Sequence, residues 1–155
     1  MRGGIKTYIT IIGKVSISDD GEGNIDGIYL PNSNLPCRES RESEVMAEAA
    51  RQIDEFLAGR RTVFDLPLKT EGTDFQKSVW DELCRIPYGE TASYGEIAER
   101  VGRPNAYRAV GSACNVNPIP LIIPCHRVVA SNGFGGFGGG LALKKKLMEI
   151  EGIKQ

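Results

Sequence analysis

The second half of the chain contains two helix-start signals, and these constrain its fold more than any other feature. Thr73 begins Thr-Asp-Phe-Gln and Ser93 begins Ser-Tyr-Gly-Glu. Both are capping boxes, in which the fourth side chain returns a hydrogen bond to the first residue. After Gly102, Pro104 lies near the first position of the next predicted helix, about 104–114. Two short helices joined by such a short turn predict a helix-turn-helix.

The first half of the chain follows a different pattern. Residues 5–30 include β-branched runs such as Tyr8–Ile12, separated by Asp, Gly and Asn, which predicts strands joined by turns. Residues 31–42 are polar and predict a loop. Ser43 is the predicted N-cap of a helix that ends at Gly59. Residues 64–70 predict an extended linker.

Length and composition exclude several classes of protein. The 155 residues suit one domain or two small ones, and no apolar run is long enough to span a membrane. The N-terminus lacks a signal-peptide pattern, which predicts an intracellular protein, cytoplasmic and nucleoid-associated in a prokaryote or nuclear in a eukaryote. The 4 irregularly spaced cysteines and the single histidine, His126, predict neither a disulfide scaffold nor a zinc finger.

The net charge of −1 conceals a long stretch without carboxylates. No Asp or Glu occurs from Arg100 to Met148, where the chain average would place about six. The same stretch carries the basic residues Arg100, Arg103, Arg108, Arg127, Lys144, Lys145 and Lys146. Such a surface suits a polyanion, although a solvated face is the alternative.

The helix predicted after the short turn is unusually thin. Its small residues are Ala106, Ala109, Gly111, Ser112 and Ala113. A thin helix can approach the minor groove, which is only about 6 Å wide, with Arg108 as an intruding side chain. The alternative is that the small residues pack this helix against its neighbours.

A cysteine, a histidine and an arginine stand together within a proline-rich apolar run, 115–130, that we expect to be extended. His126 and Arg127 can both favour a thiolate at Cys125, and the thiolate is the nucleophilic form. Adjacent residues of an extended chain point to opposite faces, so a water can link His126 to the sulfur. A buried, inert cysteine is the alternative. Cys84 and Cys114 are expected in the core.

These residues carry a family resemblance. Pro124-Cys125-His126-Arg127-Val128 resembles the active-site signature of the methylated-DNA–protein-cysteine methyltransferases, the O6-alkylguanine-DNA alkyltransferases. Further motifs occur in the family's order: Gly72–Gln76 with Val79-Trp80, Ile86–Glu90 with Ser93-Tyr94, Arg108–Gly111, Asn117-Pro118 and Gly139–Leu141. The resemblance is dense over 72–152, thinner over 43–70 and weak before residue 40.

The resemblance implies an α+β fold of two domains. The first, 1–70, would be an α/β domain of ribonuclease-H-like type. The second, 71–155, would be mostly helical and winged-helix-like, with a helix-turn-helix, and would carry the chemistry. A final helix is predicted from about Leu141 to Glu149.

The implied activity is DNA repair by a single, irreversible alkyl transfer. The alkyl group would pass from O6-alkylguanine, and less directly from O4-alkylthymine, to Cys125 after the base flips out of the duplex. The partner would be double-stranded DNA that carries alkylated guanine and is bound through its minor groove. The resemblance implies no cofactor, no metal and no membrane, and a monomer is expected.

The resemblance also assigns catalytic roles to single residues. Cys125 would be the nucleophile, and His126 would take its proton through a water. Glu151 would orient His126, and Asn117 would brace the turn. Tyr94 would donate a hydrogen bond to the departing guanine.

Further residues would bind the base or the DNA. The Val128 carbonyl would read the guanine amino group, and Arg108 would fill the gap in the duplex. The other predicted substrate- and DNA-binding residues are Ala109, Gly111, Ser112, Arg127, Phe137, Gly138 and Lys144. Phe137 replaces the common Tyr and Gly138 the common Ser or Ala. The backbone N–H of Gly138 can still contact O6, but a hydroxyl contribution is lost.

Two other functions explain part of the pattern. A DNA-binding regulator would need the helix-turn-helix but not Cys125 and His126 with Glu151. A Cys-His hydrolase would need the pair but not the thin helix with Arg108. Alkylation of the protein itself by O6-methylguanine DNA distinguishes repair from both.

Overall fold

The computed structural model describes residues 3–154 of the chain. Within these residues, most of the strands come before the first helix. The chain divides into two compact units, Met1–Thr70 and Glu71–Gln155. The fold is of the predicted mixed α+β class. The finer ribonuclease-H-like and winged-helix assignments stay predictions. Within residues 3–154, no helix has the length and apolar character needed to cross a membrane.

The first unit is built on a small sheet. Its strands are β1 Gly4–Thr10, β2 Gly13–Asp19, β3 Ile25–Tyr29 and β4 Glu39–Ser40, in the order β3-β2-β1-β4. The first three strands are antiparallel, and β4 pairs with β1 in parallel. The strand predicted over Tyr8–Ile12 ends at Thr10, because the chain turns there and enters β2 at Gly13 with φ 110°.

One helix, α1 Glu44–Leu57, covers this sheet. The Ser43 side chain caps it by accepting a hydrogen bond from the Met46 N–H, and Gly59 follows its end with φ 76°. Both predicted helix signals are therefore confirmed. The predicted linker over 64–70 is wrong in part, because the Ile25 N–H donates to Pro67 O (2.8 Å) and Ile25 O accepts from the Lys69 N–H (2.9 Å). The segment thus extends the edge of β3.

The second unit is mostly helical. Its elements are α2 Asp74–Cys84, β5 Ala92–Ser93, α3 Tyr94–Arg100, α4 Tyr107–Asn115, a 3-10 helix Cys125–Arg127, β6 Val128–Val129 and α5 Leu141–Ile150. Both capping boxes are formed, at Thr73 and at Ser93. Parallel pairing of Ala92 with Val128 places the start of α3 beside the chain that leaves Cys125.

The helix after the short turn begins later than predicted. α4 starts at Tyr107, and Pro104 lies in a turn closed by the hydrogen bond from Ala106 N to Arg103 O (2.9 Å). Proline suits the second position of such a turn as well as the first turn of a helix, so the residue type alone did not decide between them. The indole N–H of Trp80 donates to Ala113 O (2.9 Å) and ties α2 to α4.

The segment before Cys125 is folded into turns, so the predicted extended conformation is wrong. Asn117 stabilises the turns from both ends, since its Oδ1 accepts from Ile119 N (3.0 Å) and its Nδ2 donates to Ile123 O (2.8 Å). Leu121 has a φ of 75° within them. Proline fixes φ but is compatible with turns as well as with extended chain.

Candidate active site

Cys125 lies at the end of these turns, where the chain enters the 3-10 helix. Its side chain is buried, and its backbone N–H donates to Ile123 O (2.8 Å). The strand β6 begins directly after the 3-10 helix and pairs with β5, which leads into Tyr94. The thiol is therefore held between an Asn117-braced turn and a short sheet.

His126, Arg127 and Glu151 form a buried cluster behind the thiol. Nε2 of His126 lies 2.6 Å from Oε2 of Glu151. Nε of Arg127 donates to both carboxylate oxygens, at 2.9 and 3.1 Å, and Nη2 donates to Oε2 at 3.0 Å. A carboxylate with these charge-assisted partners is held in one orientation. Glu151, the C-cap residue of α5, thus fixes the imidazole of a residue 25 positions earlier.

The pKa values in this cluster determine the protonation of the imidazole. Burial acts to raise the pKa of Glu151, but hydrogen bonds from His126 and Arg127 outweigh it and lower that pKa to about 2. Burial lowers the pKa of His126 despite the Glu151 carboxylate. His126 is therefore neutral at pH 7. An ionised Glu151 only accepts, so the imidazole proton lies on Nε2 and Nδ1 carries the lone pair.

The Ile86-Pro87-Tyr88-Gly89 segment supports the cluster from the other side. Gly89 N donates to Oε1 of Glu151 (2.9 Å), and Nη1 of Arg127 donates to Ile86 O (2.8 Å). The guanidinium also lies 5.7 Å from the centre of the Tyr88 ring. The sequence analysis quoted this motif as a family feature but assigned it no role. Only the presence of the motif pointed to a role for this segment in the sequence, because its contacts are with residues far away along the chain.

The pKa of the Cys125 thiol is shifted in the direction that favours its protonated form, contrary to the expectation that His126 and Arg127 favour a thiolate. Burial raises its pKa, while a hydrogen bond from Asn117 and the charge of Lys144 act against the rise. Arg127 instead donates its hydrogen bonds to Glu151 and Ile86 O. A neutral buried thiol needs a base to become nucleophilic.

Lys144 is fully buried and holds the glycine-rich loop at residues 133–140, so the expectation that it contacts DNA is wrong. Its ammonium donates to the carbonyls of Val128 (2.6 Å), Phe134 (2.5 Å) and Gly136 (3.0 Å). Arg127 is also buried and contributes no surface charge. The sequence could not show this, because a lysine in a run of three lysines usually lies at the surface.

The loop that Lys144 holds lies against Tyr94. Gly136 N donates to the Tyr94 hydroxyl (3.2 Å), so the hydroxyl hydrogen can still be donated. Gly135 has a φ of 75°, and a Cβ built there would lie 2.7 Å from Cε2 of Tyr94. Only glycine meets both conditions without strain. The sequence analysis missed Gly135 and Gly136, for which the only signal was the glycine-rich stretch.

The remaining predicted residues lie further out. Arg108, Ala109 and Ser112 are exposed on α4, and Gly111 is partly buried. Phe137 is partly buried and Gly138 exposed, and a Cβ at Gly138 would meet no atom within 4 Å. The structure therefore brings together the thiol, the buried cluster and Tyr94. The predicted residues on α4 and in the loop lie nearer the protein surface.

The other cysteines differ from Cys125. Cys84 and Cys37 are exposed, so the expectation that Cys84 lies in the core is wrong. Cys114 is half-buried on α4, and burial raises its pKa to about 12. Across residues 3–154, no group of three or more His, Cys, Asp or Glu side chains is placed to hold a metal ion.

Comparison with known proteins identifies the family. Residues 74–153 match the family model of the 6-O-methylguanine DNA methyltransferase DNA-binding domain. The chain belongs to this family. A methylated-DNA–protein-cysteine methyltransferase of Methanosarcina acetivorans is 44% identical over 91% of this chain and 93% of its own length. One from Methanosarcina barkeri is 52% identical over 76% of this chain and 75% of its own length.

A solved structure extends the family match to the fold. The Mycobacterium tuberculosis OGT, solved in complex with DNA, has a TM-score of 0.88 and 39% identity, and covers 96% of this chain and 92% of that chain. The family predicted from the Pro124–Val128 signature is therefore confirmed. The predicted enzyme class, methylated-DNA–protein-cysteine methyltransferase, is the class that the relatives' names give.

Proposed function

We propose that this protein repairs DNA by transferring the alkyl group of O6-alkylguanine to Cys125. One observation carries the proposal: a buried thiol follows an Asn117-braced turn and directly precedes an imidazole that a buried carboxylate orients. The relatives are named for this activity. O4-alkylthymine is a second, weaker candidate substrate, on family resemblance alone.

The chain's own groups can perform the transfer in one displacement. A water would carry the Cys125 proton to Nδ1 of neutral His126, and Glu151 would stabilise the resulting imidazolium. The sulfur–carbon bond forms as the carbon–O6 bond breaks, and O6 keeps the electron pair. Tyr94 would donate a hydrogen bond to the guanine ring as it becomes negative. The departing guanine anion finally takes up one proton and the imidazolium gives one up, so that in net terms the thiol proton ends on the guanine.

Backbone groups around the thiol are suited to recognising guanine. The Val128 carbonyl accepts from Lys144, and its second lone pair can accept from the guanine amino group. The N–H of Gly138 would contact O6. Lys144 holds both Val128 and the loop that leads to Gly138. Its buried ammonium would therefore set the distance between the two backbone groups that contact the guanine.

We further infer that the partner is duplex DNA, bound through its minor groove by α4. The thin exposed face of α4 can enter a narrow groove. The bases of the carboxylate-free stretch that are exposed are Arg100, Arg103, Arg108, Lys145 and Lys146. The DNA complex of the Mycobacterium tuberculosis relative supports this partner.

Mass spectrometry of the intact protein tests the proposed function. Incubation with duplex DNA containing O6-methylguanine should add one methyl group to the protein and restore guanine in the DNA. Bound but unmodified protein would instead support a DNA-binding regulator. Turnover of an ester or peptide without methylation would support a hydrolase.

Base flipping predicts a specific effect of Arg108→Ala. The flipped base leaves a gap that costs a few kcal/mol of stacking and pairing, and the Arg108 side chain would recover part of it. We expect the variant to react more slowly with saturating O6-methylguanine duplex but at the wild-type rate with free O6-benzylguanine. An unchanged duplex rate at saturation would instead make Arg108 a phosphate contact.

A further inference from the structure

One large apolar side chain is exposed on the otherwise thin helix α4. Tyr107 is the first residue of α4 and is 51% exposed. Its exposed neighbours on the helix, apart from Arg108, are small: Ala109 and Ser112. A single exposed aromatic is ordinary on a protein surface. Its meaning here depends on which side of the helix it occupies.

Helical geometry places Tyr107 on the flank that faces the candidate active site. Tyr107, Gly111 and Cys114 are spaced by four and three residues and therefore share one side of α4. A Cβ built at Gly111 would lie 3.8 Å from Cε1 of Tyr94. The Cα of Tyr107 lies about 6 Å along the helix axis from that of Gly111, one turn nearer the start of α4. Tyr107 therefore lies on the side of α4 that faces Tyr94.

Arg108 points in a different direction from the same helix. It is one residue further on, about 100° around the axis, on the side of Ser112 and Asn115. All three residues are exposed, so this side is the outermost face of α4. The two adjacent side chains thus diverge. Arg108 projects outward, and Tyr107 projects between that outer face and the side of α4 that faces Tyr94.

Base flipping in the proposed reaction would expose the face of one neighbouring base in the DNA. When the guanine leaves the stack, the neighbouring base in the same strand loses a stacking partner. A tyrosine ring can replace such a partner for any base, because every base has a π-face. Tyr107 is also within the stretch without carboxylates, so no acidic side chain adjacent in sequence repels the phosphates.

Resting on the proposed function, we propose that Tyr107 packs its ring on the nucleotide next to the extrahelical guanine in the same strand. Arg108 fills the gap in the stack, and Tyr107 covers the base that borders it. The two residues together hold the duplex open. Tyr107 therefore affects repair within DNA and not the chemistry at Cys125.

Single-turnover rates at saturating duplex test this inference. With O6-methylguanine duplex, Tyr107→Ala should be about tenfold slower than wild type, from the usual strength of base–aromatic stacking. Tyr107→Phe should stay within about twofold, since the ring remains. All three proteins should react equally fast with free O6-benzylguanine, which needs no flipping.

A second duplex isolates the stacking contact. Here one nucleotide next to the lesion, on the 5′ side or on the 3′ side, is replaced by an abasic residue. At one of the two positions this change should remove the difference in rate between the wild-type protein and Tyr107→Ala, because the base on which the ring would stack is absent from both reactions. Such coupling shows that the ring and that base interact.

The possible results distinguish failure of the stacking contact from failure of the proposed function. If Tyr107→Phe loses as much as Tyr107→Ala, the hydroxyl is the contact and stacking is wrong. Equal losses on duplex and free base, independent effects of the abasic residue and the substitution, or an unchanged duplex rate would each overturn the inference. If wild-type protein accepts no alkyl group from either substrate, the proposed function fails instead.

Discussion

Cys125→Ser should abolish alkyl transfer completely while DNA affinity stays near that of wild type. Serine is close in size to cysteine, but its hydroxyl is far less acidic and its oxygen is a much weaker nucleophile than a thiolate towards an alkyl carbon, so the displacement should not proceed. Wild-type protein should stop at about one alkyl group per molecule however much lesion is supplied, because a thioether is a poor leaving group. Mass spectrometry and counting of transferred label measure both.

The matched control is the same substitution at an exposed thiol. Cys37 lies in the first unit, is exposed, and has no part in the proposed reaction. Cys37→Ser should therefore keep both the rate and the plateau. An alkylated Cys125→Ser protein, or a wild-type molecule that accepts alkyl groups repeatedly, would contradict the mechanism.

Glu151→Ala should destabilise the second unit by about 3–5 kcal/mol, since it leaves the Arg127 guanidinium buried without its carboxylate. This is a large share of the ~5–15 kcal/mol that stabilises a typical domain. The substitution also removes the group that orients His126, so alkyl transfer should slow by about 10²-fold or more. Urea denaturation and single-turnover kinetics measure the two effects.

The pH dependence of stability provides a second signature of Glu151. Its folded-state pKa of about 2 lies below the ordinary value of 4.5, so its ionised form stabilises the protein above pH 4.5. This contribution is lost as the pH falls from 4.5 towards 2. Glu151→Gln should therefore lose less stability than wild type across that acidic range.

Glu149→Gln provides the comparison on the same helix. Glu149 is exposed, so its substitution should change stability by no more than about 0.5 kcal/mol and leave the rate of transfer unaltered. If Glu151→Ala is as stable and as active as Glu149→Gln, the buried cluster of His126, Arg127 and Glu151 has neither of the roles assigned to it.

Local features of the fold were predictable from residue types alone. The caps at Ser43, Thr73 and Ser93 all form, because a side-chain hydroxyl and a backbone N–H two or three residues later meet wherever a helix begins. Predictions that depended on proline were less secure. Pro104 lies in a turn, since the restricted φ of proline suits several conformations.

The environment of charged residues was where sequence reasoning failed most. Arg127 and Lys144 were expected to face DNA and are instead buried. A buried charge depends on partners that lie far away in sequence, here Glu151 for Arg127 and the loop carbonyls for Lys144. No local pattern reveals whether such partners exist.

The family, the candidate nucleophile and the positions where most helices begin could all be predicted from residue types. These features depend on motifs and caps within a few residues of one another. The groups that surround Cys125 became known only from the folded structure. It placed Glu151 against His126, turned Arg127 away from the thiol and aimed Lys144 at the loop beside Tyr94. The physical reason is that burial and long-range hydrogen bonds arise only when distant segments pack together, and these interactions determine the protonation and orientation of each group.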